Sequence, residues 1–168
     1  MKAIATVDRR LGIGKNGYRL VTIPMQRQMI LEAVRGKAVI LGRKTLEALP
    51  QGQPLPYCRN IVLSRKASGI RGAEIVRGVD EAIDFLKRER IPSKDVFVLG
   101  GESVFREFMP WTDTLLLTEI DYIYDSDAHF PKFDPEEWQL AEQSGEETYF
   151  DLVYVFSLYR KKTPARDL

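Results

Sequence analysis

Gly100 and Gly101 stand between four apolar, mostly β-favouring residues, Val96 to Leu99, and a segment whose apolar positions Val104, Phe105, Phe108 and Met109 return at helical spacing. Glycine at such a switch lets the backbone turn sharply and lets another molecule approach the main chain. The helix start behind it offers unpaired N–H groups and the positive end of the helix dipole, which suit a phosphate. One Gly-Gly turn by itself is more often an ordinary strand-to-helix connection. A second junction shifts that balance: the apolar run to Leu41 feeds Gly42-Arg43-Lys44-Thr45 and then a helix. Arginine can fork onto phosphate oxygens, and a threonine hydroxyl can donate to one. At a third, Ser64-Arg65-Lys66 closes the apolar run Asn60 to Leu63. A hydroxyl and two cations at a strand's carboxyl end suit a further phosphate, as on a nucleotide ribose.

The elements that must hold these junctions are legible from periodicity. Lys2 to Val7 reads as a short apolar strand, followed by a loop, Asp8 to Tyr18, with Gly12, Gly14 and Gly17 and enough freedom to cover a ligand. Pro24 opens a helix, with Met25, Met29, Ile30, Ala33 and Val34 as its buried face and Gly36 as its stop. Lys37 to Leu41 is a buried strand, and the helix after it runs through Leu49. Pro50 to Pro56 is a loop rich in Pro, Gln and Gly. Glu74 to Val76 is a short strand. Val79 to Arg88 is a helix, acidic in its first turn and basic in its last. Thr114 to Ile120, Trp138 to Glu142 and Tyr149 to Arg160 read as strands, Asp121 to Phe130 as an acidic turn region, and Lys161 to Leu168 as a polar, frayed tail. Strands alternating with helices through the first two-thirds predict an α/β domain spanning 1–168. Its sheet is mainly parallel, with helices on both faces and a C-terminal antiparallel hairpin. Ligands of such sheets bind beyond the strand carboxyl ends, where all three junctions fall.

Composition narrows the function. The chain has 168 residues, 44% hydrophobic and 29% charged, as expected of one globular core. Its net charge of +1, from 25 basic and 24 acidic residues, offers no electrostatic footprint for nucleic acid or an acidic membrane. One cysteine, Cys58, excludes an internal disulfide, and one histidine, His129, excludes a Cys/His zinc site. No apolar run reaches the roughly 20 residues that span a bilayer, and no leader pattern opens the chain. A cytoplasmic setting is the expectation.

Six segments, in order, resemble dihydrofolate reductase: Gly12-Ile13-Gly14-Lys15-Asn16-Gly17, Val39-Ile40-Leu41-Gly42-Arg43-Lys44-Thr45, Arg59-Asn60-Ile61-Val62-Leu63-Ser64-Arg65, Val98-Leu99-Gly100-Gly101, Leu117-Thr118-Glu119-Ile120-Asp121 and Asp127-Ala128-His129-Phe130-Pro131. They cover nearly the whole chain in family order. The resemblance implies an eight-stranded sheet with flanking helices, an NADPH site, a pterin-like substrate and a place in one-carbon metabolism. It implies that Arg43, Lys44 and Thr45, beside Gly42, take cofactor phosphates. Ser64 and Arg65 would face the 2′-phosphate. Gly100, Gly101, Glu102, Ser103 and Val104 would form the turn and helix start at the pyrophosphate. Ile13 and Gly14 would lie over the nicotinamide. His129, in the Asp-x-His-Phe-Pro segment, is implied to be structural, with no metal. A monomer or weak homo-oligomer is expected.

The substrate half departs from the family pattern. By resemblance it would be lined by Ile4, Thr6, Val21, Gln26, Ile30, Leu49, Leu55, Leu99 and Thr118. The family's tryptophan position holds Val21, its usual helix aromatic is Ile30, and the tyrosine near the nicotinamide is Phe105. Two residues after Pro24, where the family carries its one acidic residue, stands Gln26. That carboxylate holds the pterin 2-amino group and ring N–H and supports protonation of N5 during hydride transfer. An amide can donate and accept hydrogen bonds but cannot bear the charge or relay a proton. Thr118, whose hydroxyl would steady the acidic residue, is retained, so Gln26 and Thr118 are the catalytic candidates. The arginine that pairs with the glutamate tail is matched by Cys58, with Arg59 one position on.

The losses fall on the substrate side and spare the cofactor side. Three readings follow. The first is an NADPH-dependent reductase acting on a C=N bond of dihydrofolate or a related pterin. The second is a reductase of a different heterocycle without a glutamate tail, such as another pterin or a ribityl-aminopyrimidine. The third is a non-catalytic NADPH-binding protein. A retained Gly-Ile-Gly loop favours the enzymes, since only hydride transfer needs water excluded.

Overall fold

The computed structural model describes residues 1–66 and 69–168. Its strands are β1 (Lys2–Val7), β2 (Gly12–Lys15), β3 (Tyr18–Arg19), β4 (Ala38–Gly42), β5 (Arg59–Leu63), β6 (Ala73–Val76), β7 (Val96–Gly100), β8 (Thr114–Ile120), β9 (Ala128–His129), β10 (Trp138–Gln143), β11 (Glu147–Tyr149) and β12 (Leu152–Lys161). Its helices are α1 (Pro24–Val34), α2 (Arg43–Glu47), α3 (Val79–Arg88) and α4 (Glu102–Phe108). The main sheet runs β10-β12-β8-β1-β7-β4-β5-β6, with β11 paired to β12 as a ninth strand. From β8 to β6 every pairing is parallel; β12 joins β8, β10 and β11 antiparallel. The expected parallel body and antiparallel end are therefore both present.

Parallel strands covered on both faces read as unbroken apolar runs, and that is how β4 and β7 read. Alternate residues then divide between two layers. Ala38 and Ile40 of β4 join Phe85 and Leu86 of α3 and Phe105 and Phe108 of α4. Val39 and Leu41 join Val34 of α1 and Leu46 of α2. Helices thus cover both faces. Full burial of side chains such as Ile40, Leu86 and Phe108 stabilises the fold by about 1.5–3 kcal/mol each. Among the described residues no helix is long and apolar enough to cross a membrane.

Five expectations are corrected. The glycine segment is not an open loop: β2 pairs antiparallel with both β3 and β9, giving a second, three-stranded sheet. Its far partner comes from residues 128–129, a distance along the chain that local pattern does not reveal. On α1 the buried residues are Gln26 and Val34, while Met25 and Met29 lie exposed at 55% and 45%. The inward stripe is Gln26-Ile30-Val34, because the first turn hangs over a cleft and presents an amide to it. The helix after β4 ends at Glu47, and Pro50–Gly52 forms a short 3-10 turn. The last expected strand is two: β11 turns back at Phe150, whose φ is +53°, and pairs with β12 through Tyr149 and Leu152. The tail is also docked, with Arg166 N–H donating to the Pro110 carbonyl and Ser93 donating to Asp167 at 2.7 Å.

Candidate active-site cleft

Because β1, β4, β5 and β7 run parallel, their carboxyl ends lie along one edge of the sheet, and a cavity of about 1320 Å³ opens there. Its walls include Ile4 to Asp8, Gly42 to Thr45, Leu63 to Lys66, Leu99 and Gly101 to Glu107. The β2–β3 hairpin closes it through Gly12, Ile13, Gly14 and Arg19, and α1 through Gln26 and Ile30. Every cofactor-side residue expected from the sequence lines this cleft except Gly100. Gly100 lies buried at the end of β7 with φ +114°, where a Cβ would come within 3.0 Å of the Phe105 ring. Its part is to shape the turn behind the wall.

One end of the cleft is cationic. Arg43, Lys44, Arg65, Lys66 and Arg77 line it. Arg43 is 3.7 Å from Glu47, one helical turn on; among the described residues Lys44, Arg65 and Lys66 form no ion pair. The Arg77 guanidinium donates to the Arg65 carbonyl, and the Ser64 N–H donates to the Val76 carbonyl at 2.9 Å, so the ends of β5 and β6 are tied together. Between the cations the main chains of two junctions nearly touch. A Cβ on Gly42 would lie 3.8 Å from the Gly100 carbonyl oxygen and 3.9 Å from the Gly101 nitrogen, and one on Gly101 would meet the Thr45 hydroxyl at 3.6 Å. This glycine-walled, cation-rimmed slot fits a ligand with several phosphate charges. Arg77 was missed in the sequence. Its signal is the same as that of Ser64 to Lys66: a cation just past a parallel strand.

The hairpin wall is pinned by Asp8, which is 3% exposed. Its Oδ1 accepts the N–H groups of Arg10 and Gly12, both at 2.8 Å, and its Oδ2 accepts that of Tyr124 at 2.9 Å. Glu102, at the start of α4, reaches the same region through the His129 N–H. His129 itself sits in β9 opposite Gly12.

The other end of the cleft is mainly apolar, with Arg19 as a cation on its wall. Ile4, Thr6, Val21, Gln26, Ile30 and Leu99 line it as expected. Gln26 is 5% exposed, and among the described residues its amide makes no hydrogen bond. Thr118 lies buried in β8 opposite Thr6 and is not on the cleft wall, nor does its hydroxyl bond Gln26. Without a carboxylate to hold, the threonine has no partner to steady. Leu49 and Leu55 line a separate chamber of about 200 Å³, whose wall shares Arg19, Ile30, Ala48 and Leu99 with the main cleft. Cys58 lies beside it, half buried, with Sγ 3.7 Å from the Leu55 carbonyl; burial pushes its thiol up to about 11. Arg59 turns away and pairs with Glu89 at 2.6 Å.

A family model described as dihydrofolate reductase matches residues 1–161. Among curated proteins, a dihydrofolate reductase of Bacillus subtilis (strain 168) is 30% identical over 166 residues, covering 97% of this chain and 95% of its own. One of Neisseria gonorrhoeae is 34% identical over 142 residues, covering 84% and 85%. One of Staphylococcus haemolyticus is 28% identical over 163 residues, covering 94% and 93%. With the match running from β1 to the end of β12, over the same strand-end junctions that wall the cleft, the chain belongs to the dihydrofolate reductase family.

Proposed function

We propose that the protein is an NADPH-dependent reductase that transfers hydride to a C=N bond of dihydrofolate or a related pterin-like substrate. The observation that carries this reading is the two-ended cleft: a glycine-walled cationic slot runs into a chamber where one buried amide, Gln26, faces the ligand space. In this reading Gly42 to Thr45 and Gly101 to Ser103 hold the pyrophosphate side. Ser64 and Arg65 hold the 2′-phosphate, with Arg77 added to that group. When bound, NADPH supplies the hydride from C4 of its nicotinamide. Ile13 and Gly14 close over the reacting atoms and limit water around them. Gln26 orients the heterocycle by accepting, through its amide oxygen, from the exocyclic amino group or the ring N–H. It cannot deliver the proton, so that proton comes from water.

A second reading, reduction of a different heterocycle without a glutamate tail, is favoured by one specific feature. The tail arginine is replaced by Cys58, and Arg59 is committed to Glu89, so the customary tail contact has no substitute in that loop.

Steady-state NADPH oxidation with dihydrofolate, run beside a fluorescence titration of NADPH alone, tests both. Turnover supports the first reading. Tight NADPH binding without turnover moves the assignment to another heterocycle, or to a non-catalytic NADPH-binding protein if a pterin and pyrimidine panel is also inert. No NADPH binding overturns the proposal.

A further inference from the structure

Arg19 and Gln26 stand at the same end of the cleft, on two different elements. Arg19, in β3, pairs across the hairpin with Gly14, which closes over the reacting atoms in the proposed function. It lines both the cleft and the small chamber, as Ile30 and Leu99 do, and Ile30 is one helical turn beyond Gln26 on α1. Among the described residues the Arg19 guanidinium makes no ion pair, hydrogen bond or ring contact, and the Gln26 amide makes no hydrogen bond. The carboxylates of the cleft are committed elsewhere. Asp8 holds three backbone N–H groups, Glu102 holds the His129 N–H and Arg106, Asp127 accepts the Asn16 N–H at 3.0 Å, and Glu47 lies 3.7 Å from Arg43. Glu107 stands on α4, which covers the opposite face of the sheet from α1. A ligand at this end therefore meets one amide and one guanidinium among Ile4, Val21, Ile30 and Leu99, where an unmatched polar group is costly.

A primary amide offers one donor and one acceptor side by side, and a guanidinium offers donors only. A ring edge with two neighbouring N–H donors would set one of them against the amide N–H or the cation. An edge that runs carbonyl, N–H, carbonyl matches every group. The amide oxygen accepts the ring N–H, the amide nitrogen donates to one carbonyl, and Arg19 donates to the other. We infer that the substrate heterocycle presents such an imide edge to Gln26 and Arg19, which makes it a pyrimidine- or pteridine-dione and not an amino-substituted pterin. Arg19 is then a specificity-determining residue of the cleft. The inference rests on the reductase reading in taking the ligand at this end for the substrate.

The test is calorimetric binding to the full chain of three pteridines that differ only at that edge, buffered so that each ring is neutral: pteridine-2,4-dione, 2-aminopteridin-4-one and 2,4-diaminopteridine. The dione should bind about tenfold or more tightly than either amino compound. Arg19→Leu should remove about tenfold of the dione's affinity and leave that of the diamino compound within about twofold, and Arg19→Lys should recover part of the loss. Gln26→Asp presents two acceptors in place of one and should reverse the order of the dione and the diamino compound. A dione that does not bind, or binds no more tightly than the amino compounds, would overturn the inference. So would a preference for the dione that either Arg19→Leu or Gln26→Asp leaves unchanged. The reductase reading fails separately, by absent NADPH binding, whatever the order of the three affinities.

Discussion

Oε1 of Glu102 accepts the backbone N–H of His129 at 2.9 Å, joining the first turn of α4 to β9. The other oxygen, Oε2, accepts from Arg106 at 2.6 Å. Because β9 pairs with β2, this one carboxylate links the α4 wall of the cleft to the strand carrying Ile13 and Gly14. Glu102→Ala should therefore lower stability by about 1–2 kcal/mol in urea denaturation and weaken NADPH binding in a fluorescence titration. Glu102→Gln keeps an acceptor for His129 and should lie near the parent in both. An alanine variant with unaltered NADPH affinity would show that the link does not shape the cleft.

Asp8 holds three backbone N–H groups where the chain leaves β1 for the hairpin. Asp8→Ala leaves them without an acceptor in a largely buried place and should cost about 3 kcal/mol of unfolding free energy. Asp8→Asn retains one acceptor oxygen and should cost less. Equal stability of the alanine variant would mean that water replaces the carboxylate.

Gln26 is neutral where a diaminopyrimidine inhibitor would seek a carboxylate for its cationic ring. Such inhibitors should bind only at micromolar concentrations or above, and Gln26→Asp should tighten them sharply. The same variant should raise dihydrofolate turnover by about a hundredfold or more if proton delivery alone limits it. Nanomolar inhibition of the parent, or no gain in turnover, would contradict these expectations separately.

The Tyr159 hydroxyl donates to Oε1 of Glu119 at 3.0 Å. Burial, and then the adjacent Glu119 charge and the hydrogen bond to it, push its ionisation from the ordinary 10.0 up to about 12. A folded-state value above the unfolded one means that the unfolded chain binds fewer protons in that window. The tyrosine's contribution to stability is thus complete below pH 10.0 and is lost as pH rises toward about 12. Denaturation midpoints measured across that range should fall more steeply for the parent than for Tyr159→Phe. Parallel curves would count against the shift.

The apolar runs of β4, β5 and β7, the helical periodicity of Val79 to Arg88, and the glycine-and-cation junctions after three strands were all legible in the sequence. They are local signals: burial of a parallel strand shows as a run, and a turn shows as glycine beside hydroxyls and cations. Because such strands share one direction, their ends had to meet, and the cationic slot followed. The rest needed residues distant in the chain. The Gly12 segment reads as a loop until β9, more than a hundred residues on, supplies its partner. α1 reads as turning Met25 and Met29 inward until the cleft beneath it makes Gln26 the buried position. The sequence placed Arg59 near the tail site, but only the fold turned it to Glu89. Only the packing of β3 and α1 beside Leu49 and Leu55 brings Arg19 and Arg27 to the wall of one chamber, because that placement depends on three-dimensional distance, which spacing along the chain does not encode.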